Sequence, residues 1–345
     1  MIAKSAYMTF CVAALLTLAA PASADATYTL VRIKNYNTTA AGLNDAGDIV
    51  GSYGKGKHDN YSIRGFLRTN NGHESKFIVT GATVTAPAAV NDMDEVVGTH
   101  SLKGASSHGF VRNPNKDIVE FDTDENDVVL PIAINPSGTS LAVLWDGTVE
   151  KGAIRAPGGT ITKFQAPKVG GERPATVPTA INTDGEAVGY ATTSDQHSRG
   201  LICSPDGTIT MFDARGAGSG RFQGTFPNAV NSSGTIAGVY TGADGISHEF
   251  LRTADGTVTS FDVTGGIGVT VAGLNDAGAV VGTYVVEVDG QNDSHGYIRA
   301  ADGAITTFDV PNALDTVPTG INSSGQITGN AYFASGIADA FIRTP

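Results

Sequence analysis

A nine-residue phrase, apolar-Asn-x-x-Gly followed by an apolar pair and a small residue, recurs seven times along the chain. It reads LNDAGDIVG from Leu43, VNDMDEVVG from Val90, INPSGTSLA from Ile134 and INTDGEAVG from Ile181. It continues as VNSSGTIAG from Val230, LNDAGAVVG from Leu274 and INSSGQITG from Ile321. The asparagines, Asn44, Asn91, Asn135, Asn182, Asn231, Asn275 and Asn322, lie 44 to 49 residues apart. A second phrase follows each time: RGFLR from Arg64, HGFVR from His108, KGAIR from Lys151, RGLIC from Arg199, HEFLR from His248, HGYIR from His295 and DAFIR from Asp339. A third, typified by DGTITMF, ends at Phe212, Phe261 and Phe308, with looser versions ending at Phe77, Phe121 and Phe164. A fixed period of this length means that each copy is one supersecondary unit, unable to bury its faces alone and stacked on its neighbours.

Each copy holds four β-prone segments separated by turn chemistry. The residues before Asn read as strand a, and Asn-x-x-Gly reads as a tight turn in which Asn and Gly can take positive φ. The stretch of the IVGxY kind is strand b, the HGFLR stretch is strand c, Asp-Gly is a hairpin turn, and TITxF is strand d. Four antiparallel strands in this length make one propeller blade, so the expected fold is all-β: a seven-bladed β-propeller of four-stranded antiparallel blades. The seventh copy stops at Pro345 straight after strand c, while Thr27-Tyr28-Thr29-Leu30-Val31 resembles a strand d. Leu30 lies 14 residues before Asn44, as Phe308 lies 14 before Asn322. The N-terminal strand is therefore expected to close the last blade and remove two exposed edges.

These phrases resemble a bacterial extracellular repeat family named for its His-Ala-Phe tripeptide (the HAF repeat), seen here as His108-Gly109-Phe110, His295-Gly296-Tyr297 and Asp339-Ala340-Phe341. The resemblance covers nearly the whole chain after residue 24. The third copy departs most, with Ala142 in place of Gly and Ala153 in place of the aromatic residue. The resemblance implies an exported repeat protein and brings no catalytic residues with it.

The N-terminus reads as an export signal. Lys4 supplies a positive charge, Phe10 to Ala20 is a short apolar run, and Ala22-Ser23-Ala24 has the small-x-small form of a cleavage site. Residues 1–24 are thus expected to be cleaved after Ala24, leaving residues 25–345 as a single propeller domain that is secreted or periplasmic. No later apolar run is long enough to span a bilayer. With Lys4 lost from the 22 basic residues against 34 acidic ones, the net charge of −12 becomes −13. Such a balance argues against nucleic acid as a partner. Cys11 leaves with the signal, so Cys203 has no disulfide partner.

In a propeller the a–b and c–d turns share one rim, and the b–c and d–a loops share the other. All substantial length variation here falls on the second rim. The Phe-to-Asn spacing is 14 in most copies, but 18 from Phe164 to Asn182 and 19 from Phe212 to Asn231. These two long d–a loops flank the fourth blade and carry Lys168, Arg173, Arg215 and Arg221, a basic group on an acidic chain. Variable loops on a rigid scaffold are where binding usually resides. Trp145, the one tryptophan, falls where strand b of copy three meets this rim, and an exposed aromatic platform of that kind suits a sugar ring; packing within the blade is its plainer role. The reading is a non-enzymatic binding module for an acidic polysaccharide or acidic protein. The alternatives are a carbohydrate-active hydrolase or lyase using channel carboxylates, and a structural cell-surface protein that associates with itself.

Other signals are absorbed by the fold. Gly51 to His58 nearly spells a phosphate-binding loop, but His58 stands where Ser or Thr must reach a metal, and no strand-to-helix turn follows. Asp122, Asp124, Glu125 and Asp127 form a carboxylate run without the spacing of a calcium loop. His108, His248 and His295 are one blade apart or more, and read as part of an inter-blade hydrogen-bond network with the arginine four residues on. Cys203, where the other copies have Arg, reads as a packing residue. Ser204-Pro205-Asp206-Gly207-Thr208 is similar to the Asp-box of sialidase-type propellers but is explained by a hairpin turn. No cofactor or metal motif appears.

Overall fold

The computed structural model describes residues 26–34, 36–55, 61–104, 106–123 and 127–345. The expected signal segment and its cleavage point lie outside the described residues. Those described form 28 strands and no helix. Repeat two is typical: Val84–Val90, Val96–Ser101, Ser107–Arg112 and Ile118–Phe121 pair antiparallel in that order. By continuous hydrogen bonding there are five sheets. Repeats three, six and seven give four-stranded sheets, whereas repeats one and two, and repeats four and five, merge into eight-stranded ones. Each merger rests on a single parallel pair, Ile63 with Val84 and Ser198 with Gly224.

Local chemistry fixes the pleat. Strand a carries a bulge one residue after its proline in most repeats, as between Pro87 and Ala89. The bulge pushes a carbonyl onto strand b, where a Cβ on Gly98 would sit 2.3 Å from the Ala86 oxygen. Glycine fits that approach without strain, and repeat three accommodates Ala142 at the equivalent place.

The apolar core is divided among clusters that each join successive repeats. Strand c supplies the largest buried side chains, Phe66, Phe110, Phe250, Tyr297 and Phe341. Full burial of each stabilises by roughly 1.5–3 kcal/mol. Phe110 meets Phe77 of the preceding strand d edge to face at 6.1 Å, and Phe250 meets Phe212 in the same way. The arginine ending strand c then covers that same phenylalanine: Arg112 over Phe77, Arg252 over Phe212 and Arg299 over Phe261, each with the guanidinium carbon 4.8–4.9 Å from the ring centre. The arginine therefore acts between repeats through cation–π contact. Cys203 replaces it in repeat four, and its thiol is buried in the same seam beside Phe164, with its pKa raised by burial.

The histidines do not belong to that inter-repeat contact, which corrects the expected network. His108 bonds Asp122, His248 bonds Asp262 and His295 bonds Asp309, at 2.7–2.9 Å. Each partner lies just past strand d of the same repeat, so the pair ties strand c to the end of its own hairpin.

The two ends of the chain meet. Thr27–Val31 pairs antiparallel with Ala338–Thr344, placing Leu30 opposite Phe341 and Val31 opposite Ala340. Phe308 stands opposite Gly296 in repeat six, so Val31, not Leu30, takes the phenylalanine position. Burial explains the one-residue shift: Val31 is 2% exposed and Leu30 44%. The alternation of a strand sends only one of two neighbours into the seam.

The seven asparagines do something the positive-φ reading does not anticipate. None of them has a positive φ; the residue three positions on does, as at Gly47, Gly138 and, without glycine, Asp94. Each Asn Oδ1 accepts from the backbone N–H four residues later at 2.8–3.0 Å, closing its own turn. Each Nδ2 donates to the backbone carbonyl of the next repeat's asparagine at 3.1–3.3 Å. Asn322 donates to Asn44, so the cycle closes on itself around a cavity of about 230 Å³. Replacing Asn182 with Ala takes the inter-repeat donor from the Asn231 carbonyl, leaving it the Gly234 N–H, and strips the Asp184 and Glu186 amides of their acceptor. The expected loss is about 2–4 kcal/mol, read as a shift in denaturation midpoint; a change within error would show the cycle to be ornamental.

Candidate functional site

Two long d–a loops, residues 165–174 and 213–223, border the b–c turn of repeat four. The long loop of residues 165–174 is anchored where Ala166 N–H donates to Thr176 Oγ1 at 3.0 Å. It then turns back as a two-residue hairpin: Val169 and Glu172 exchange backbone hydrogen bonds of 2.9 and 3.1 Å across Gly170 and Gly171. Both glycines have positive φ, 59° and 91°, as such a turn requires. The second long loop, residues 213–223, packs from the other side. Phe222 N–H donates to Gln196 O at 2.8 Å, and Ala217 bridges to Gly242 of repeat five.

Between them lies the b–c turn of repeat four. Thr193 N–H donates to His197 O at 2.9 Å, and the Thr193 hydroxyl donates to Asp195 Oδ1. That hydroxyl bond, with the His197 amide, holds the Asp195 carboxyl below its usual range, so it stays an anion. A cleft of about 370 Å³ opens between this turn and the first long loop, walled by Val169, Glu172, Arg173, Pro174, Asp195 and His197. A smaller pocket of about 180 Å³ shares Val169, Pro174 and Thr193 with it and adds Lys168, Arg199 and Met211.

Of the basic residues singled out from sequence, Arg173 thus lines the cleft and Lys168 the smaller pocket that adjoins it. Arg215 and Arg221 lie on the far side of the repeat-four turn, and the Arg221 guanidinium stacks 4.5 Å above the Phe222 ring. Lys168, Arg173 and Arg215 are exposed and make no ion pair among the described residues. Arg199 is tied to Asp213 at 2.9 Å. Trp145 ends strand b of repeat three, 41% exposed, and does not wall the cleft. The sequence reading missed the turn acid Asp195 and His197; their signal was adjacency in space to a loop 20 residues earlier, invisible along the chain.

The remaining signals take structural places. Asp122 is held by His108, and Asp127 accepts from Thr123 and from Lys163 at 2.7 and 2.9 Å. Asp124 and Glu125 lie outside the described residues, among which no group of three ligands could hold a metal. Gly51 and Gly54 sit within strand b, and the rest of the near phosphate-loop motif, residues 56–58, lies outside the described residues. Thr208 N–H donates to Asp206 Oδ1 at 2.8 Å in an ordinary Asx turn. Among the described residues no helix is long and apolar enough to cross a membrane.

No known sequence family and no curated protein matches the chain. Solved structures do. Virginiamycin B lyase from Staphylococcus aureus matches with a TM-score of 0.58 and 14% identity, over 93% of this chain and 100% of its own. Oligogalacturonate lyase from Vibrio parahaemolyticus matches with a TM-score of 0.58 and 8% identity, over 92% and 96%. An acylaminoacyl peptidase from Pyrococcus horikoshii reaches 0.61 at 11% identity over 90% of this chain, which spans only 51% of that enzyme. At such identities the likeness speaks to architecture alone: this chain has an all-β, β-propeller-like fold.

Proposed function

We propose that the chain is an exported seven-bladed propeller of the HAF-repeat kind, binding a carboxylate-bearing polysaccharide at the rim of its fourth blade. The sevenfold asparagine cycle and the single-pair mergers within the eight-stranded sheets support counting seven blades. The pairing of Thr27–Val31 with Ala338–Thr344 supports closure by the N-terminal strand. One observation carries the binding reading: two adjoining pockets where the first long loop faces one turn, with Arg173 on the wall of one and Lys168 on the wall of the other, neither ion-paired among the described residues, on a chain of net charge −12. Cations left without partners can take up the carboxylates of a uronate chain, with an acidic protein segment as the next candidate. Glu172 and Asp195 on the same walls restrict how such an anion can lie.

A second reading keeps the ligand class and adds chemistry. His197 shares the cleft with Arg173, a pairing of base and carboxylate-neutralising cation that a β-eliminating lyase needs. Both readings meet in one experiment. Uronate-containing oligosaccharides are titrated against wild type and Lys168→Glu/Arg173→Glu at low and moderate salt. The expected result is salt-sensitive binding weakened about 10–100-fold in the double variant. Equal binding by both proteins would remove the site; unsaturated products absorbing in the ultraviolet, lost in His197→Ala, would select the lyase.

A further inference from the structure

Large apolar side chains stand exposed at many places around the loop rim, and a consecutive run of them lies on repeats four to six. Phe222, Ile246, Ile267 and Val288 are all about half exposed or more, Phe222 and Ile267 reaching 63%. They follow one another in space. The loop bearing Phe222 holds the repeat-five turn through Gly218 N–H to Thr241 O at 2.9 Å and Gln223 Nε2 to Ala243 O at 3.1 Å. That turn carries Ile246. The next loop, with Ile267, holds the repeat-six hairpin through Ile267 N–H to Val285 O at 2.8 Å. The result is an apolar arc from repeat four to repeat six, the kind of patch that marks an interface.

Its two ends are opposite in charge. At the repeat-four end stand Arg173, Arg215 and Arg221. At the repeat-six end, strands b and c run nine residues each, Val280–Val288 and Gln291–Arg299, against six or seven in the other repeats. Beyond the pair Val285–Ser294 the hairpin has three residues more than the turn beyond Thr241–Ser247, which carries its tip about 5 Å further out. The projection bears Glu287, Asp289 and Asp293 and no basic residue. A patch with positive and negative ends and an apolar middle is complementary to itself when turned through a half rotation.

We propose that this sector is the interface of a two-fold dimer of the chain. The axis passes over repeat five, where Ile246 and Ile267 of each copy meet their counterparts. The acidic hairpin of each copy then lies against the basic loops flanking repeat four of the other. The surface is shared with the polysaccharide cleft, so an acidic ligand and a second copy compete for Arg173, although neither idea depends on the other.

Sedimentation of the purified protein at micromolar concentration tests this. Wild type is expected to be dimeric at low salt and to dissociate as salt rises. Glu287→Lys/Asp289→Lys and, separately, Arg173→Glu/Arg221→Glu should each weaken association about 100-fold. An equimolar mixture of the two variants should regain a heterodimer, with the original charge pairing at one end and the reversed pairing at the other. A monomeric wild type, or variants that associate as wild type does, would overturn the proposal. Oligosaccharide titration of the hairpin variant keeps the two ideas apart: its cleft is intact, so binding there persists whatever the oligomeric state.

Discussion

Raising the pH from 5 to 8 is expected to remove about 3 kcal/mol from the stability of this protein, and Glu249→Gln to abolish most of that loss. Strand c has glycine before its central residue, aromatic in most repeats, at Gly65, Gly109, Gly152, Gly200 and Gly296. Repeat five has Glu249 there, opposite Phe261, with no exposed surface. No hydrogen bond of good geometry reaches either carboxyl oxygen, although the Tyr297 hydroxyl lies close enough to act on it. Across the seam, repeat six departs from phenylalanine at Tyr297, whose hydroxyl donates to Thr270 O at 3.4 Å. Burial pushes the Glu249 pKa up to about 7, reinforced by Asp262 and opposed by the chain's own backbone, the Tyr297 hydroxyl and His248. The Tyr297 phenol is raised in turn, by its own burial and then by Glu249. The unfolded carboxyl titrates near its ordinary 4.5. Between those values the folded state holds a proton that the unfolded state has released, so stability is fully present below the unfolded pKa. It falls by about 1.4 kcal/mol per pH unit until the folded group ionises. Denaturant unfolding of wild type and Glu249→Gln at pH 5 and pH 8 isolates this group from the other histidines and acids. Parallel losses in the two proteins would show that the carboxylate finds water or a partner.

The strands were legible because period and turn chemistry were repeated seven times, so each copy tested the reading of the others. The functions of single residues were less so. Asn was read as a backbone residue, yet its side chain spans two repeats, and only contacts such as Asn182 to Asn231, 49 residues on, reveal that. The histidine pairs were assigned across repeats, although a 14-residue separation between His108 and Asp122 already joins strand c to the end of strand d. Leu30 was preferred over Val31 because counting from Asn44 ignores which residue the alternation buries. In the candidate site the long loops were visible from spacing alone. Which cations come close was not, since a hairpin fold sets Lys168 and Arg173 on adjoining pockets and leaves Arg215 and Arg221 outside both.

Arg32→Asp is expected to cost about 3 kcal/mol, and adding Asp339→His to restore at least half of it. The pair just past strand d and within strand c occurs as Asp122 with His108, Asp262 with His248 and Asp309 with His295, and as Asp213 with Arg199. Where the chain ends meet, the polarity is reversed: Arg32 donates through Nε to Asp339 Oδ1 at 2.7 Å and through Nη2 to Oδ2. Asp339 is fully buried while Arg32 keeps 46% of its side chain exposed, so the carboxylate depends on this one cation more than the cation depends on it. The reversal also discriminates. An N-terminal strand that docked beside strand c of repeat two, five or six would set Arg32 against a histidine, and beside repeat four against Arg199, whereas its own site offers an anion. A strand edge that must be found by the far end of the chain gains from such selectivity, because edges otherwise pair with any strand available. Arg32→Asp places two carboxylates together at the closure; Asp339→His then recreates the arrangement of repeats two, five and six. Unfolding midpoints of the two single variants and the double variant measure the coupling. If the two substitutions simply add, the ion pair contributes nothing to joining the two ends of the chain, and the strand is held by backbone pairing and the burial of Val31 alone.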